Sequence, residues 1–429
     1  MADQVANTTA EQGGAVLGWY QELTAKERRT FWACFTGWAL DAMDVQLYSL
    51  VIATLSVLWS ISRGDAGLLA TATLLASSFG GWLVGILADR FGRVRMLQIT
   101  ILWFSVFTFL CAFATSYEQL FLFRSLQGFG FGGEYAAGAV LIGEIIRSEH
   151  RGKGNGIVHS GWAVGWGAAV IAYAVLFTYL PETIAWRALF AVGILPAISV
   201  FFVRRFVGEP ALFMDAQRRY GSGQEARPSF LKIFAPSLLR TTILASLLTI
   251  GTQGGYYAIM IWLPTYLKTV RGLSVIGTGG YLAVIISGAF AGYLTAAWMS
   301  DRIGRRNTFF LFAVCSALTA VTYTLVPISD AQMLVLGFPL GFFVSGNFSG
   351  VGAYFTELFP SRVRGSGQGF AYNFGRGIGA LFPALVGYLS AGMPLGRAIG
   401  LFAGSAFVVV IIAVALLPET RGKQLAIYD

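Results

Sequence analysis

Charge is scarce in this sequence. Of 429 residues only 12% are Asp, Glu, Lys or Arg, against 56% apolar, too few to clothe a water-exposed surface. The deficit excludes the two or three soluble domains that the length alone would accommodate. Cysteine is scarcer still. Cys34, Cys111 and Cys315 lie far apart inside apolar blocks, so they read as small buried hydrophobes and imply neither a disulfide framework nor a metal site. Two histidines add no metal-ligand cluster. The first 29 residues are polar and lack the short apolar region and cleavage site of a removable signal. No nucleophile–base pair and no phosphate-cradling loop is evident, so no enzyme chemistry and no cofactor is expected.

What is present is a series of apolar blocks of about 20 residues, each long enough to cross a hydrocarbon core of ~30 Å. Twelve spans are expected. Spans 1 to 6 run Phe31–Trp59, Ala66–Ala88, Met96–Ala114, Leu120–Ile146, Asn155–Leu180 and Trp186–Val207; spans 7 to 12 cover 239–265, 275–299, 308–327, 332–356, 366–391 and 396–417. This gives an N-terminal tail at 1–29, a six-helix bundle at 30–207, a polar basic linker at 208–238, a second bundle at 239–418 and a tail at 419–429. The net charge of +9 need not signal nucleic acid, because its distribution is lopsided. With the N-terminus inside, the inner loops, linker and tails hold 23 of the 30 Lys and Arg. The outer loops hold five: Arg63, Arg187, Lys268, Arg271 and Arg397. That bias puts both termini in the cytoplasm of a multi-pass inner-membrane protein. The last two, Arg124 and Arg376, fall inside apolar spans.

Two short stretches repeat half a chain apart: Asp89-Arg90-Phe91-Gly92-Arg93 after span 2 and Asp301-Arg302-Ile303-Gly304-Arg305 after span 8. A turn this tight wants Gly where a side chain would clash, and an Asp closing one helix can pair with Arg on the next. Topology alone explains the charge but not the repeated order. A second repeat closes spans 4 and 10: Glu144 with Arg151 and Gly152, and Glu357 with Arg364 and Gly365. These patterns resemble the signature loops of the major facilitator superfamily. The resemblance implies an all-α membrane protein with twelve transmembrane helices in two six-helix halves. It also implies that Asp89, Arg93, Glu144, Arg151, Asp301, Arg305, Glu357 and Arg364 form cytoplasmic networks that latch the halves while the transporter faces outward.

Polar residues deep in the membrane are the candidate site. Span 1 places Asp41, Asp44 and Tyr48 at i, i+3 and i+7, on one face. Span 4 carries Arg124, Gln127 and Glu134, and span 11 carries Tyr372, Asn373 and Arg376. Ionisable groups at such depth are costly and face a cavity or a partner, so bundle-stabilising pairs stand as an alternative to a transport site, most evenly for Arg124. An Arg fork suits a carboxylate, whereas a neutral-sugar carrier would rely on amides and hydroxyls. Trp162 and Trp166 on span 5, Gln253, Tyr256, Tyr257 and Trp262 on span 7, and Tyr354 on span 10 are available to line a cavity, although aromatic stripes are more often packing.

At these residues the resemblance narrows. Leu40-Asp41-Ala42-Met43-Asp44, Gly132-Gly133-Glu134, Trp162 to Trp166 and Asn373-Phe374-Gly375-Arg376 resemble organic-acid/proton symporters: the sialate and lactate group, niacin-type permeases and aromatic-acid symporters. Span 5 lacks the Gly-Pro element of drug/proton antiporters. The tail Pro418-Glu419-Thr420-Arg421-Gly422 resembles a sugar-porter motif, but span 7 has no sugar-porter Gln pair, and the tail is discounted. The resemblance implies a monomeric importer of a small organic anion, with protons and the bilayer as its other partners and no nucleic acid. Arg376, Asn373, Tyr372, Gln253, Tyr256, Tyr257, Trp162, Trp166 and Arg124 would bind substrate, while Asp41, Asp44 and Glu134 would carry the proton. A drug or metabolite exporter and a sugar-acid or sialate importer remain alternatives.

Overall fold

A computed structural model describes residues 18–21, 23–145, 151–198, 230–360 and 363–421. After a short turn, Gly18–Gln21, come α1 (Ala25–Leu58), α2 (Arg63–Phe91), α3 (Arg93–Cys111), α4 (Tyr117–Ile145), α5 (Arg151–Tyr179) and α6 (Glu182–Val192). A 3-10 turn, Phe230–Phe234, then leads to α7 (Pro236–Met260) and α8 (Leu263–Thr269). α9 (Val275–Ile303), α10 (Arg305–Leu325), α11 (Asp330–Gly346) and α12 (Val351–Leu358) follow, then α13 (Arg364–Gly379), α14 (Phe382–Leu389) and α15 (Leu395–Leu416). The second part of span 6 and most of the expected linker lie outside the described residues, as do both chain ends.

Eight helices among the described residues are long and apolar enough to cross a membrane. Four spans expected to be continuous are instead interrupted, three of them in the C-terminal half; in the N-terminal half span 6 turns at 193–195, just past the end of α6. Span 7 breaks between α7 and α8, span 10 between α11 and α12, and span 11 between α13 and α14. Pro264 and Pro383 sit in the first turn of the resumed helices α8 and α14, where the missing N–H leaves no bond unmade.

Successive spans alternate in direction. The start of α1 and the end of α15 therefore share one face, called the terminal face, and the α1–α2, α5–α6 and α8–α9 connections lie at the opposite, far face. Within the N-terminal half α1 packs on α5, α2 on α4 and α3 on α4; in the C-terminal half α7 packs on α13, α9 on α11 and α10 on α11. The sequence repeat is thus a repeat of packing as well. Between halves, α2 lies along α13 and α14, and α5 along α9. Small residues allow this approach: a Cβ on Gly67 would fall 2.4 Å from the Pro383 carbonyl oxygen. Hydroxyls then bond across the seam, Thr71 Oγ1 donating to the Ala380 carbonyl at 2.6 Å and Ser78 Oγ to the Asn373 carbonyl at 2.6 Å.

The two repeated turns share one backbone device. Gly92 between α2 and α3 has φ 104°, and Gly304 between α9 and α10 has φ 97°, a region that L side chains avoid. Gly304→Ala is expected to destabilise the protein by roughly 1–2 kcal/mol on conformation alone. The loss should exceed that of Gly92→Ala, because a Cβ at Gly304 would also meet the Glu419 carboxylate at 2.4 Å. Thermal unfolding of the detergent-solubilised variants measures both.

Candidate functional site

Arg376, in the last turn of α13, is a buried cation, 1% exposed. Its Nη2 donates to the hydroxyl of Tyr372, one turn earlier, at 3.3 Å. Its guanidinium carbon lies 5.0 Å from the Tyr372 ring and 5.1 Å from the ring of Phe131 on α4. The charge is therefore flanked by one ring from each half, and cation–π attraction of this kind strengthens in a desolvated site. Tyr257 is a close neighbour of the same guanidinium.

The surrounding amides and hydroxyls fix these groups. Gln253 Nε2 donates to the Tyr372 carbonyl at 3.0 Å, and the Tyr257 hydroxyl donates to Gln253 Oε1 at 3.0 Å. Asn373 Nδ2 donates to the Gly369 carbonyl at 3.0 Å, which leaves its Oδ1 buried without a partner among the described residues. On the opposite wall Trp162 Nε1 donates to the Tyr256 hydroxyl at 2.6 Å, a bond from α5 to α7 that crosses between halves. The Trp162 ring packs at 5.2 Å from Trp38 and 6.2 Å from Phe131, and Tyr256 at 5.2 Å from Phe348. Trp166, one turn further along α5, is fully buried, and its indole N–H finds no partner among the described residues.

Six expected residues thus gather around one point: Arg376, Tyr372, Gln253, Tyr256, Tyr257 and Trp162. Asn373 shares a helix with Arg376, but its Oδ1 faces α2, 2.5 Å from where a Cβ on Gly81 would lie. Two aromatic candidates also lie apart. Trp262 donates to the Pro383 carbonyl at 3.0 Å and ties α8 to the broken span 11. Tyr354 stacks on Phe309 at the terminal face and donates to the Pro418 carbonyl at 2.7 Å.

Arg124 also belongs elsewhere. It lies over Tyr48 at 5.3 Å and Phe190 at 6.0 Å, and its Nε and Nη1 have no partner among the described residues. It is the positive charge acting on Asp44, whose Oδ2 accepts from Gln127 Nε2. All of these groups come from α1, α4 and α6, one half alone. The expected face of Asp41, Asp44 and Tyr48 is fully buried, with Asp44 and Tyr48 turned to Arg124. The side chain of Glu134 lies outside the described residues.

At the terminal face Arg305 holds the C-terminal network together. It pairs with Asp301 at 2.5 Å and Glu357 at 3.0 Å and bonds Ser300 Oγ at 3.0 Å. Arg364 Nε donates to the Thr356 carbonyl at 2.9 Å. The discounted tail is part of this assembly. Glu419 accepts the backbone N–H of Arg305 at 2.9 Å and of Arg306 at 3.1 Å, capping α10, and Thr420 Oγ1 donates to Glu357 Oε2 at 2.5 Å. An anion suits a helix N-terminus, where free N–H groups and the dipole converge. The bonds named here tie elements of one half to each other rather than half to half. The N-terminal counterparts Asp89, Arg93, Glu144 and Arg151 have side chains outside the described residues.

The far face holds a contact that no sequence pattern marks. Glu182, the first residue of α6, accepts from Lys268 Nζ of α8 at 2.8 Å and from Thr54 Oγ1 of α1 at 3.0 Å. By sequence Lys268 is only one of five outer cations. No cluster of His, Cys, Asp and Glu that could hold a metal ion occurs among the described residues.

The profile of the Major Facilitator Superfamily matches residues 34–329 and 282–427. The chain belongs to the major facilitator superfamily. It is 42% identical over 409 residues to a protein of Cupriavidus pinatubonensis named "Probable 4-methylmuconolactone transporter", covering 95% of this chain and 94% of that one. It is 29% identical to the cis,cis-muconate transport protein of Acinetobacter baylyi, covering 91% and 94%. A bacterial homologue of the human lysosomal transporter Spinster, solved inward-facing and unoccupied, shares the fold at a TM-score of 0.64 and 18% identity, over 91% of this chain and 96% of that one. As a multi-pass facilitator the chain is a transporter, and its relatives are transporters rather than enzymes.

The far-face contact has a defined acid limit. Burial works to raise the Glu182 carboxyl, but the bond and charge of Lys268, with Thr54, outweigh it and hold the group below its ordinary value. In the separated state the same carboxyl returns to its ordinary value. The contribution to closure is thus fully present above that value and lost as pH falls through the depressed one. Far-face accessibility, read by labelling an introduced cysteine, is expected to stay constant across neutral and mildly acidic pH and to rise only below it.

Proposed function

We propose that this facilitator imports a small organic acid anion together with protons, by alternating access about the Arg376 site. The observation that carries the reading is Arg376 itself, a buried guanidinium between Phe131 of one half and Tyr372 of the other. A guanidinium offers a carboxylate two parallel bonds, and the adjoining rings suit a flat, unsaturated body. The transport of 4-methylmuconolactone and cis,cis-muconate ascribed to the two relatives agrees with that chemistry. In this reading Arg376 holds the carboxylate, Tyr257 and Gln253 orient it, and Trp162, Tyr256 and Trp166 shape the wall. The bias of Lys and Arg supports a terminal face in the cytoplasm and a far face outside an inner membrane. Both walls of the site come from one chain, so a monomer suffices.

For the proton the reading favours Asp44 over Asp41 and Glu134. Its carboxylate is buried, held on one oxygen by Gln127, and faces Arg124 without a direct ion pair. Protonation would release Arg124 from that charge and change how α1 and α4 are held together. Arg124 is thereby assigned to coupling rather than to the substrate.

Uptake into proteoliposomes from a panel of carboxylates, with an imposed proton gradient, tests the whole. Accumulation is expected for at least one acid and no gradient-driven uptake for neutral sugars. Arg376→Lys keeps the charge but loses the fork, and the apparent affinity of the accepted acid is expected to fall about 10- to 100-fold with folding intact. Unchanged affinity removes Arg376 from the site. Asp44→Asn mimics the protonated acid, so it is expected to abolish gradient-driven accumulation while sparing counterflow exchange, which moves no net proton. If Asp44→Asn still concentrates the acid, the coupling group lies elsewhere.

A further inference from the structure

The far-face ion pair is built from the same chemistry as the proposed cargo. A carboxylate, that of Glu182, sits at the mouth of the seam between halves, held by Lys268 from one half at 2.8 Å and Thr54 from the other at 3.0 Å. The other ion pairs named above, Arg305 with Asp301 and with Glu357, lie within the C-terminal half, as does Arg271 with Asp330. Of the far-face cations, Arg187 is bonded to the Ala112 and Ala114 carbonyls of its own half at 2.7 and 2.8 Å, and Arg271 to the Ile328 carbonyl at 3.1 Å. Among these three, Lys268 is the one whose partner is carried away when the halves part.

We propose that Lys268 is an outer capture point for carboxylates and that Glu182 is the resident carboxylate which the incoming one replaces. The proposal rests on the reading of the cargo as an organic anion. A half-exposed ion pair is weak, and the Glu182 and Lys268 side chains are 50% and 24% exposed, so this one can break in every transport cycle. Lysine suits the exchange: an ammonium is a point charge on a flexible stem and accepts a new carboxylate without fork geometry. Its location gives the route inward. Lys268 and Tyr257 belong to the same interrupted span, eleven residues apart, or roughly 16 Å at helical rise, and Tyr257 adjoins Arg376. A carboxylate taken at Lys268 thus has span 7 as a continuous wall down to the bidentate site.

The reporter is Thr265→Cys, one turn inward from Lys268 on α8, in a background with Cys34, Cys111 and Cys315 replaced by Ala. Thr265 is buried, and its hydroxyl has no partner among the described residues, so the exchange breaks no side-chain bond. N-ethylmaleimide, which is neutral, reads opening. Glu182→Gln and Lys268→Gln each remove the same ion pair and are expected to speed labelling several-fold and to similar extents. Protection by cis,cis-muconate and by benzoate reads capture. In Glu182→Gln at least one acid is expected to protect the cysteine, and in Lys268→Gln protection should need about tenfold more of it, the difference shrinking at high salt as charge attraction is screened. Protection should persist in Glu182→Gln/Arg376→Lys, which impairs the inner site alone. Equal protection in Glu182→Gln and Lys268→Gln, or its loss on Arg376→Lys, or none by either acid in Glu182→Gln, overturns the capture point. The carboxylate reading fails separately, if no acid of the panel accumulates in the unaltered protein.

Discussion

A guanidinium cannot be left bare inside a membrane, and much of this molecule's interior is arranged around two of them. Arg124 and Arg376 are both almost wholly buried, at a depth where an uncompensated charge is costly. They are accommodated differently. Arg124 is kept within one half, near Asp44 and over the Tyr48 and Phe190 rings. Arg376 is set at the seam, where its two ring neighbours belong to different halves. Cation–π contacts of about 0.5–2 kcal/mol each soften the cost of burial. Any change in the separation of the halves alters the surroundings of Arg376, but leaves the group around Arg124 together.

How much of this was legible in the sequence follows from the range of each interaction. Spans and the repeated turns rest on local signals, hydropathy and a Gly-containing order, and the structure places Gly92 and Gly304 at matching backbone angles. The gathering of Tyr372 and Arg376 was readable from helical spacing, and Gln253 with Tyr256 and Tyr257 from polar tips beside two glycines, through which α7 runs unbroken to Met260. The interruptions of spans 7, 10 and 11 were not, because hydropathy runs through them unchanged. Glu182 and Lys268 lie 86 residues apart, and no short-range pattern joins them. Trp262 and Tyr354 misled for a related reason: composition reveals an aromatic with a polar tip, but not which carbonyl that tip will find.

The tail motif shows how a correct observation can be set aside on family grounds. By sequence, Pro418-Glu419-Thr420-Arg421 resembles a substrate signature and falls with the sugar reading. Its physical task is indifferent to substrate. Glu419 fills the N-terminus of α10, and Thr420 reaches the Glu357 that pairs with Arg305. The chain's last described residues thereby clasp the second repeated turn, so α9, α10, α12 and the tail are held as one unit.

The unequal distribution of helix breaks gives the two halves different mechanical characters. In the C-terminal half three of six spans are jointed, near Trp262, Asn347 and Ala380. Spans 1 to 5 of the N-terminal half run as uninterrupted rods, α1 alone covering 34 residues, and only span 6 turns, at 193–195. A joint lets one segment of a span tilt while its continuation stays packed, because the hydrogen-bond ladder between them is already broken. Two of the joints bracket Arg376, one just after it on span 11 and one just after Tyr257 on span 7. The cargo then sits between an anvil and a hand: one stiff wall against which it is pressed, and one articulated wall that can close around acids of different outline.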